Sequence, residues 1–244
     1  MIEREIHIET GEGSMGTFIV HPETDTALPV VIFLMDAPGK RPLLHDMARR
    51  IAANGYYVML PHLYYRVTEG FELDFDSTES RELMFELMMG VGNAMVARDC
   101  AVLFEHADAD PAADPSTVGV VGYCMSGPFS ISVAAAHADR VRAAASWYGV
   151  RLHIDKPDSP HLRLGEITGE IYIGAAEHDD FISLDEIDRF EEAMKSAGTT
   201  GRVERYWGTH HGFAFNDRPA YDADADARHW EITLDLFERN LSTG

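Results

Sequence analysis

Residues 118–127 read VGVVGYCMSG, and this stretch decides the fold. A run of β-branched and small residues ends at Gly122, Cys124 follows two positions later, and a helical pattern begins at Ser126. Such a tight turn requires small residues two positions before and after its apex, and Gly122 and Ser126 meet that requirement. The pattern predicts that Cys124 stands at the carboxyl end of a buried strand, where a helix N-terminus favours a thiolate.

Two other interpretations of this stretch compete with a nucleophilic Cys124. In one, Ser126 is the apex residue, but Pro128 would then occupy the position that must be small. In the other, Cys124 is a buried core thiol, which is the common state of a lone cysteine. Cys100, by contrast, shares a helical pattern with Val96 and Leu103, so we expect it to be a core thiol.

Outward from this stretch, apolar runs alternate with helical patterns. The predicted strands of the sheet are 30–35, 56–60, 118–122, 143–148, 170–175 and 203–207, preceded by exposed strands at 4–8 and 16–20. The predicted helices are 43–53, 79–89, 93–106, 126–137, 184–196 and 228–241. This alternation predicts an α/β fold with a mostly parallel central sheet and helices on both faces. The length of 244 residues suits one domain, which we expect to span residues 1–244.

Composition and charge exclude several classes of function. The chain has 41 acidic and 20 basic residues and a net charge of −21. Such a surface repels phosphate backbones and anionic lipids, so we expect neither a nucleic-acid nor a membrane partner. No apolar stretch reaches the length of about 18 residues that a membrane helix needs, and the N-terminal residues are too acidic for a secretory signal. We therefore expect a cytoplasmic protein.

A nucleophilic cysteine needs a base, and the base needs an acid that orients it. Asp179 follows the predicted strand 170–175, and His211 follows 203–207, so both belong to the same sheet edge as Cys124. Glu177 and Asp180 compete with Asp179 for the role of the acid. His210 likewise competes with His211 for the role of the base.

Cofactor and metal motifs are missing from the sequence. No GxGxxG or P-loop follows a predicted strand, so we expect no nucleotide cofactor. The histidines and carboxylates near the sheet edge show no HExxH spacing, and no CxxC occurs, so we expect no metal.

At this point the chain resembles the dienelactone hydrolase family of α/β-hydrolases. GYCMSG at 122–127 resembles the family's cysteine turn, with Ser126 in place of its usual glycine. NGYYVMLPHLY at 54–64 is similar to a second family segment, with His62 in place of aspartate. HDDFI at 178–182 and HGF at 211–213 resemble the family's acid and histidine segments, and this match selects Asp179 and His211.

The resemblance implies further roles around the nucleophile. The family has a glutamate after its third strand that takes the thiol proton, and here Asp36 matches it, one methylene shorter. The family's oxyanion hole would fall on the backbone N–H groups of Met125 and Ala37.

The resemblance also implies where substrate binds. Family members that cleave dienelactone hold its carboxylate with two arginines and a tyrosine. Arg81 matches one arginine, but Phe85 replaces the tyrosine and Phe215 replaces the second arginine, with Arg218 out of register. We expect substrate contacts at Arg81, Phe85, Phe213 and Phe215. Because the carboxylate clamp is mostly missing, we expect uncharged short esters or lactones to be preferred over carboxylated ones.

These features together predict a hydrolase that cleaves a small ester or lactone through an acyl-enzyme on Cys124. The alternative is a catalytically silent α/β-hydrolase fold that binds a ligand or partner, and a redox-sensing thiol protein is a third possibility. Thiol reactivity and ester hydrolysis separate these hypotheses.

Overall fold

A computed structural model describes residues 1–241, and an eight-stranded sheet forms its centre. The strands are β1 (Ile2–Glu9), β2 (Ser14–His21), β3 (Leu28–Leu34), β4 (Tyr57–Pro61), β5 (Ala113–Tyr123), β6 (Val141–Trp147), β7 (Glu170–His178) and β8 (Gly201–His210). Their order across the sheet is β1-β2-β4-β3-β5-β6-β7-β8. The two pairs that involve β2 are antiparallel and all other pairs are parallel, which confirms the mostly parallel sheet.

Six α-helices lie among residues 1–241, five between strands and the sixth after β8. They are α1 (Pro42–Ala52), α2 (Thr78–Met89), α3 (Asn93–Asp108), α4 (Gly127–Ala136), α5 (Leu184–Ala197) and α6 (Ala223–Leu241). The chain steps from β3 to β4 in one direction across the sheet and from β5 to β6 in the other. Because such crossovers are right-handed, α1 and α4 lie on opposite faces. The order therefore reverses at β3 and β5, and ligands of open α/β sheets bind at such a reversal.

The core lies between the sheet and these helices. Helix α4 is buried along almost its whole length, which explains why it lacks a polar face. On α3, Cys100 is fully buried, and burial raises the pKa of its thiol. This confirms the expectation that Cys100 is a core thiol.

The start of the last helix differs from the sequence prediction. The predicted helix begins at residue 228, whereas α6 already begins at Ala223, within the acidic stretch 221–228. The Asp222 carboxylate accepts hydrogen bonds from the backbone N–H groups of Asp224 and Ala225, at 3.1 and 2.9 Å. This cap satisfies free amides of the first turn and favours the earlier start.

No single helix within residues 1–241 is long and apolar enough to cross a membrane. Helices α2 and α3 together would meet the criteria of length and composition, but they are bent by 80° at the break between them.

Candidate active site

Cys124 lies at the sharp turn between β5 and α4. Its φ is +55°, a left-handed conformation that costs a non-glycine residue roughly 1–2 kcal/mol and is concentrated at functional sites. A Cβ added to Gly122 would lie 2.1 Å from the carbonyl oxygen of Ser126, so only glycine fits there. The turn is as tight as the sequence pattern requires.

Ser126 has a structural task in this turn. Its Oγ accepts a hydrogen bond from the Tyr123 N–H at 2.8 Å and lies 3.0 Å from the carbonyl oxygen of Leu34. The side chain is fully buried. Its hydroxyl therefore joins the turn to β3, and this fixes the turn rather than presenting a second nucleophile.

His211 and Asp179 meet at the ends of two neighbouring parallel strands. Asp179 follows β7 and His211 follows β8, and His211 Nδ1 lies 2.7 Å from Asp179 Oδ2. The other carboxylate oxygen of Asp179 accepts the Phe181 N–H at 2.9 Å. The Asp179 side chain is only 1% exposed, so its charge acts on His211 with little screening by solvent.

The competing residues point elsewhere. His210 is exposed, and its ring packs near that of His178 with a centroid separation of 5.0 Å. Asp180 is exposed, and Glu177 accepts a hydrogen bond from the Gly208 N–H at 2.6 Å. Strand β8 continues to His210, and successive residues of a strand project to opposite sides. The structure thus brings His211, and not His210, to the same cavity as Cys124.

The surroundings of His211 make its imidazole a strong base. Burial alone would lower its pKa, but the hydrogen bond to Asp179 and the neighbouring Cys124 outweigh burial and raise the pKa to about 10. Nε2 is buried and has no hydrogen-bond partner of good geometry within residues 1–241. Because His211 and Cys124 line the same cavity, Nε2 is available to exchange a proton with the sulfur or with a substrate.

Asp36 lines the same cavity but is bound to arginines. Its oxygens lie 2.5 and 3.2 Å from Arg41 nitrogens and 3.1 Å from Arg218 Nη2. Asp217 bridges the same two arginines at 2.7 and 3.3 Å, so two carboxylates and two guanidinium groups form a closed quartet. No hydrogen bond joins Asp36 to Cys124 in the part of the chain that the structure describes. The implied contact of Asp36 with the thiol is therefore not formed in this structure, because the arginines hold the carboxylate.

The two residues expected to supply oxyanion-binding amides are connected by Tyr64. Its hydroxyl donates to the Ala37 carbonyl at 2.8 Å and lies 3.2 Å from Met125 Sδ. Met125 lies in the first turn after Cys124, where backbone N–H groups have no intrahelical acceptor. Ala37 lines the cavity in the turn after β3. The buried Tyr64 thus fixes the spacing between the two segments.

The cavity above Cys124 has a volume of about 390 Å³ and a mostly apolar wall. The lining includes Asp36, Ala37, Pro38, Leu73, Met84, Phe85, Met88, Cys124, Tyr148, Val150, Arg151, Phe181, His211, Gly212, Phe215, Arg218, Pro219 and Ala220. Phe85 and Phe215 are thus where the resemblance implied them.

Two other residues expected to contact substrate lie outside this cavity. Phe213 is fully buried behind it, with its ring stacked on Tyr206 at 4.9 Å, because the backbone turns at Gly212 and sends the side chain into the core. Arg81 is exposed on the first turn of α2, and its guanidinium donates to the Phe75 carbonyl at 2.9 Å. Both expectations are corrected by the packing of these side chains.

Arg218, Arg151 and Tyr148 line the cavity although the sequence did not single them out as site residues. Arg218 lies three positions beyond Phe215, the residue that matches the family's second arginine. Two successive turns, from Gly212 to Phe215 and from Phe215 to Arg218, nevertheless place Arg218 at the cavity. Arg151 has a φ of +56° and no carboxylate partner among the described residues, and its Nη2 lies 3.2 Å from Met89 Sδ. The only local signal for Tyr148 and Arg151 was their place at the end of the predicted strand 143–148 and just beyond it.

Residues 1–241 contain no group of three or more His, Cys, Asp or Glu side chains arranged to hold a metal ion. The carboxylates at and beside the cavity are instead paired with cationic or basic groups: Asp36 with two arginines, and Asp179 with His211. What the arrangement offers chemically is a thiol beside a basic imidazole, in a small apolar cavity.

Comparison with known proteins is consistent with this geometry. The model of the family described as "Dienelactone hydrolase family" matches residues 15–241. A protein of Synechocystis sp. that is provisionally named carboxymethylenebutenolidase is 27% identical over 227 residues, which cover 92% of this chain and 91% of the relative. The carboxymethylenebutenolidase of Rhodococcus opacus is 25% identical over 92% of this chain and 87% of its own length. A crystal structure from Klebsiella pneumoniae, provisionally described as a dienelactone hydrolase, has a TM-score of 0.87 at 24% identity and covers 98% of both chains.

Proposed function

The chain belongs to the dienelactone hydrolase family, and from this premise we propose that it hydrolyses small esters or lactones through a Cys124–His211–Asp179 triad. It is a hydrolase of the dienelactone hydrolase type. The observation that carries the proposed mechanism is the 2.7 Å bond from Asp179 to His211 Nδ1, in a cavity that His211 shares with the strained Cys124. A nucleophile, a base and an orienting acid in this order are what acyl transfer requires.

The reaction proceeds in two halves. In the first, the Cys124 sulfur, its proton taken by His211, attacks the substrate carbonyl. His211 then returns that proton to the leaving oxygen as the carbon–oxygen bond breaks, which leaves a thioester on Cys124. In the second half, His211 takes a proton from water, the resulting hydroxide attacks the thioester, and the proton goes to the departing sulfur. Asp179 holds the imidazole through Nδ1–H in both halves.

The negative charge that develops on the carbonyl oxygen needs hydrogen-bond donors. We assign this task to the backbone N–H groups of Met125 and Ala37, whose segments Tyr64 ties together. Loss of one such donor typically costs about 10²–10³ in rate. Tyr64 keeps both amides in place before substrate arrives, so no reorganisation is needed during the reaction.

Asp36 acts on the site through its charge. The resemblance implies that this carboxylate takes the thiol proton, but here Arg41 and Arg218 hold it. We therefore propose that His211 is the base for Cys124, and that Asp36 tunes the thiol indirectly by keeping Arg218 at the cavity wall.

Substrate size follows from the cavity, whose volume of about 390 Å³ lies in the range of small-molecule sites. A small ester or lactone is thus the proposed substrate, and we propose no cofactor. We also propose no nucleic-acid partner and no membrane partner, because the net charge of −21 repels anionic surfaces. We further propose that residues 1–244 form one domain. The cytoplasmic location stays a prediction.

The test compares the two cysteines. Cys124→Ala should abolish hydrolysis of p-nitrophenyl acetate while circular dichroism stays unchanged, because the side chain is partly exposed at the cavity. Cys100→Ala is the matched control, since that thiol is buried on α3, and it should keep most of the activity. In the wild type, iodoacetamide should label Cys124 far faster than Cys100. A folded Cys124→Ala variant with most of its activity would overturn the mechanism, and an inactive wild type would favour the catalytically silent fold.

A further inference from the structure

Three tyrosines with buried side chains surround the nucleophile, and one of them differs from the others. The Tyr64 hydroxyl donates to the Ala37 carbonyl, and the Tyr123 hydroxyl lies 2.8 Å from His229 Nε2. The Tyr148 side chain is only 1% exposed, yet its hydroxyl has no hydrogen-bond partner within residues 1–241. Buried hydroxyls in native proteins are almost always bonded, so this exception requires an explanation.

The position of Tyr148 supplies that explanation. It follows β6 and lines the same cavity as Cys124 and His211. Its ring packs edge-on against His211 with a centroid separation of 5.1 Å, and against Phe215 at 5.7 Å. Burial, and then Tyr123, Asp36 and Cys124, raise the pKa of the Tyr148 hydroxyl well above its ordinary value, so the hydroxyl stays protonated and can donate a hydrogen bond.

The backbone at Tyr148 is strained in addition. Its φ is +38°, in the left-handed region that a bulky residue avoids. The adjoining Gly149 has no room for a side chain, since an added Cβ would lie 2.2 Å from Ser146 Oγ. An unsatisfied buried hydroxyl and a strained backbone both reduce stability, and such costs persist mainly at functional sites. Both are explained if the hydroxyl finds its partner only when substrate is bound.

The amides and the imidazole that the proposed mechanism uses already have partners on an ester. In the proposed function, on which this inference rests, the Met125 and Ala37 amides bind the carbonyl oxygen, and His211 serves the leaving oxygen. The Tyr148 hydroxyl is then available to donate a hydrogen bond to another oxygen of the substrate. We propose that Tyr148 is a specificity-determining residue that donates a hydrogen bond to an additional acceptor oxygen on the acyl part of the substrate. The preferred substrates are thus esters or lactones with an oxygen substituent next to the scissile carbonyl.

The test uses a pair of esters with the same leaving group and nearly the same shape. p-Nitrophenyl methoxyacetate carries an ether oxygen where p-nitrophenyl butyrate carries a methylene. In Tyr148→Phe, which removes only the hydroxyl, kcat/KM for the methoxyacetate should fall about tenfold, the effect of one lost buried hydrogen bond. The value for the butyrate should stay within about twofold.

Tyr172→Phe is the matched control. The Tyr172 hydroxyl is bonded to Glu204 at 3.0 Å and to Tyr206 at 2.9 Å, and it lies on β7 outside the cavity. Its removal should lower Tm and leave the ratio of the two esters unchanged. Tyr148→Phe should keep or raise Tm, because it deletes an unsatisfied group. Equal changes for both esters, or a fall in Tm like that of Tyr172→Phe, would overturn the inference.

A measurement on the wild type keeps the inference testable if Tyr148→Phe does not fold. The methoxyacetate-to-butyrate ratio of kcat/KM should exceed the ratio of their hydroxide-catalysed rates by about tenfold, and an equal or smaller ratio would overturn the inference. The Cys124→Ala variant separates this outcome from the proposed function. If Cys124→Ala still cleaves both esters, the proposed triad is wrong. If Cys124→Ala is inactive but the ester ratio of the wild type does not exceed the hydroxide ratio, only the inference about Tyr148 is wrong.

Discussion

Replacement of Asp179 by asparagine tests the centre of the proposed site. The carboxylate lies 2.7 Å from His211 Nδ1 and is nearly inaccessible to solvent, so asparagine keeps the shape and removes the charge. The asparagine amide can donate a hydrogen bond to Nδ1, whereas the carboxylate accepts a hydrogen bond from Nδ1–H. In the variant the imidazole proton therefore moves to Nε2, and the ring can no longer take the thiol proton.

The size of the effect follows from the charge on the imidazole. The pKa of His211 is raised from 6.5 to about 10, against the opposing effect of burial, by Asp179 and Cys124. At about 1.4 kcal/mol per pH unit, this corresponds to roughly 5 kcal/mol in favour of the imidazolium. Without the carboxylate, only Cys124 still acts against burial, so the pKa of His211 should fall. Loss of the orienting acid of a triad costs up to about 10⁴ in rate.

The assay compares neighbouring carboxylates. Asp179→Asn should lower kcat for p-nitrophenyl acetate by about 10³–10⁴, whereas Asp180→Asn, which changes an exposed side chain, should stay within about twofold. NMR titration of His211 should show its lowered pKa only in Asp179→Asn. Equal losses of activity in the two variants, or a pKa of His211 unchanged in Asp179→Asn, would refute the assignment of the acid.

Three further outcomes are expected. His211→Asn should remove activity while His210→Asn keeps most of it, because only His211 shares the cavity with Cys124; equal kcat values in the two variants would contradict this. Folding raises the pKa of His211, so protonation of His211 stabilises the fold fully below pH 6.5, and this stabilisation is lost as the pH rises through about 10. The fall of Tm between these pH values should therefore be smaller in His211→Asn than in the wild type. Neutral lactones should show higher kcat/KM than carboxylated analogues, and added salt should reduce the ratio of the two kcat/KM values. Arg151→Ala should increase that ratio by up to about fivefold, whereas Arg81→Ala should leave it unchanged. A preference of the wild type for the carboxylated lactone at low salt would refute this.

The sheet and the turn at Cys124 could be predicted from sequence because their signals are local. The run 118–122 is apolar and β-branched, and Gly122 is required by a carbonyl oxygen that would lie 2.1 Å from a Cβ. The order of nucleophile, acid and histidine follows from parallel strands whose ends share one edge. The predicted start of the last helix at residue 228 was wrong, because the Asp222 side chain caps a helix that already begins at Ala223.

The direction of loop side chains could not be predicted in this way. His210 and His211 are adjacent, and their separation depends on β8 continuing to His210 before the chain turns at Gly212. Arg81 and Phe213 were placed by resemblance, but a single hydrogen bond and a stacked ring direct them away from the cavity. Motif matching fixes the position of a residue along the chain, whereas the direction of its side chain depends on how the local backbone turns and packs in three dimensions.

The distribution of charge links the acidic composition to the proposed substrate. Within the described residues, Asp36 is the carboxylate that lines the cavity, and Arg41 and Arg218 neutralise it. Asp179 is likewise paired with His211. The net charge of −21 must therefore reside mainly on the exposed surface, where it repels anions before they reach the cavity. The cavity wall itself is apolar, and the cation without a carboxylate partner, Arg151, is exposed to solvent that weakens its pull on an anion. A neutral ester crosses this surface without penalty, and the amides, imidazole and hydroxyl that we propose as its partners bind through polarity, which is why polarity rather than charge should select the substrate.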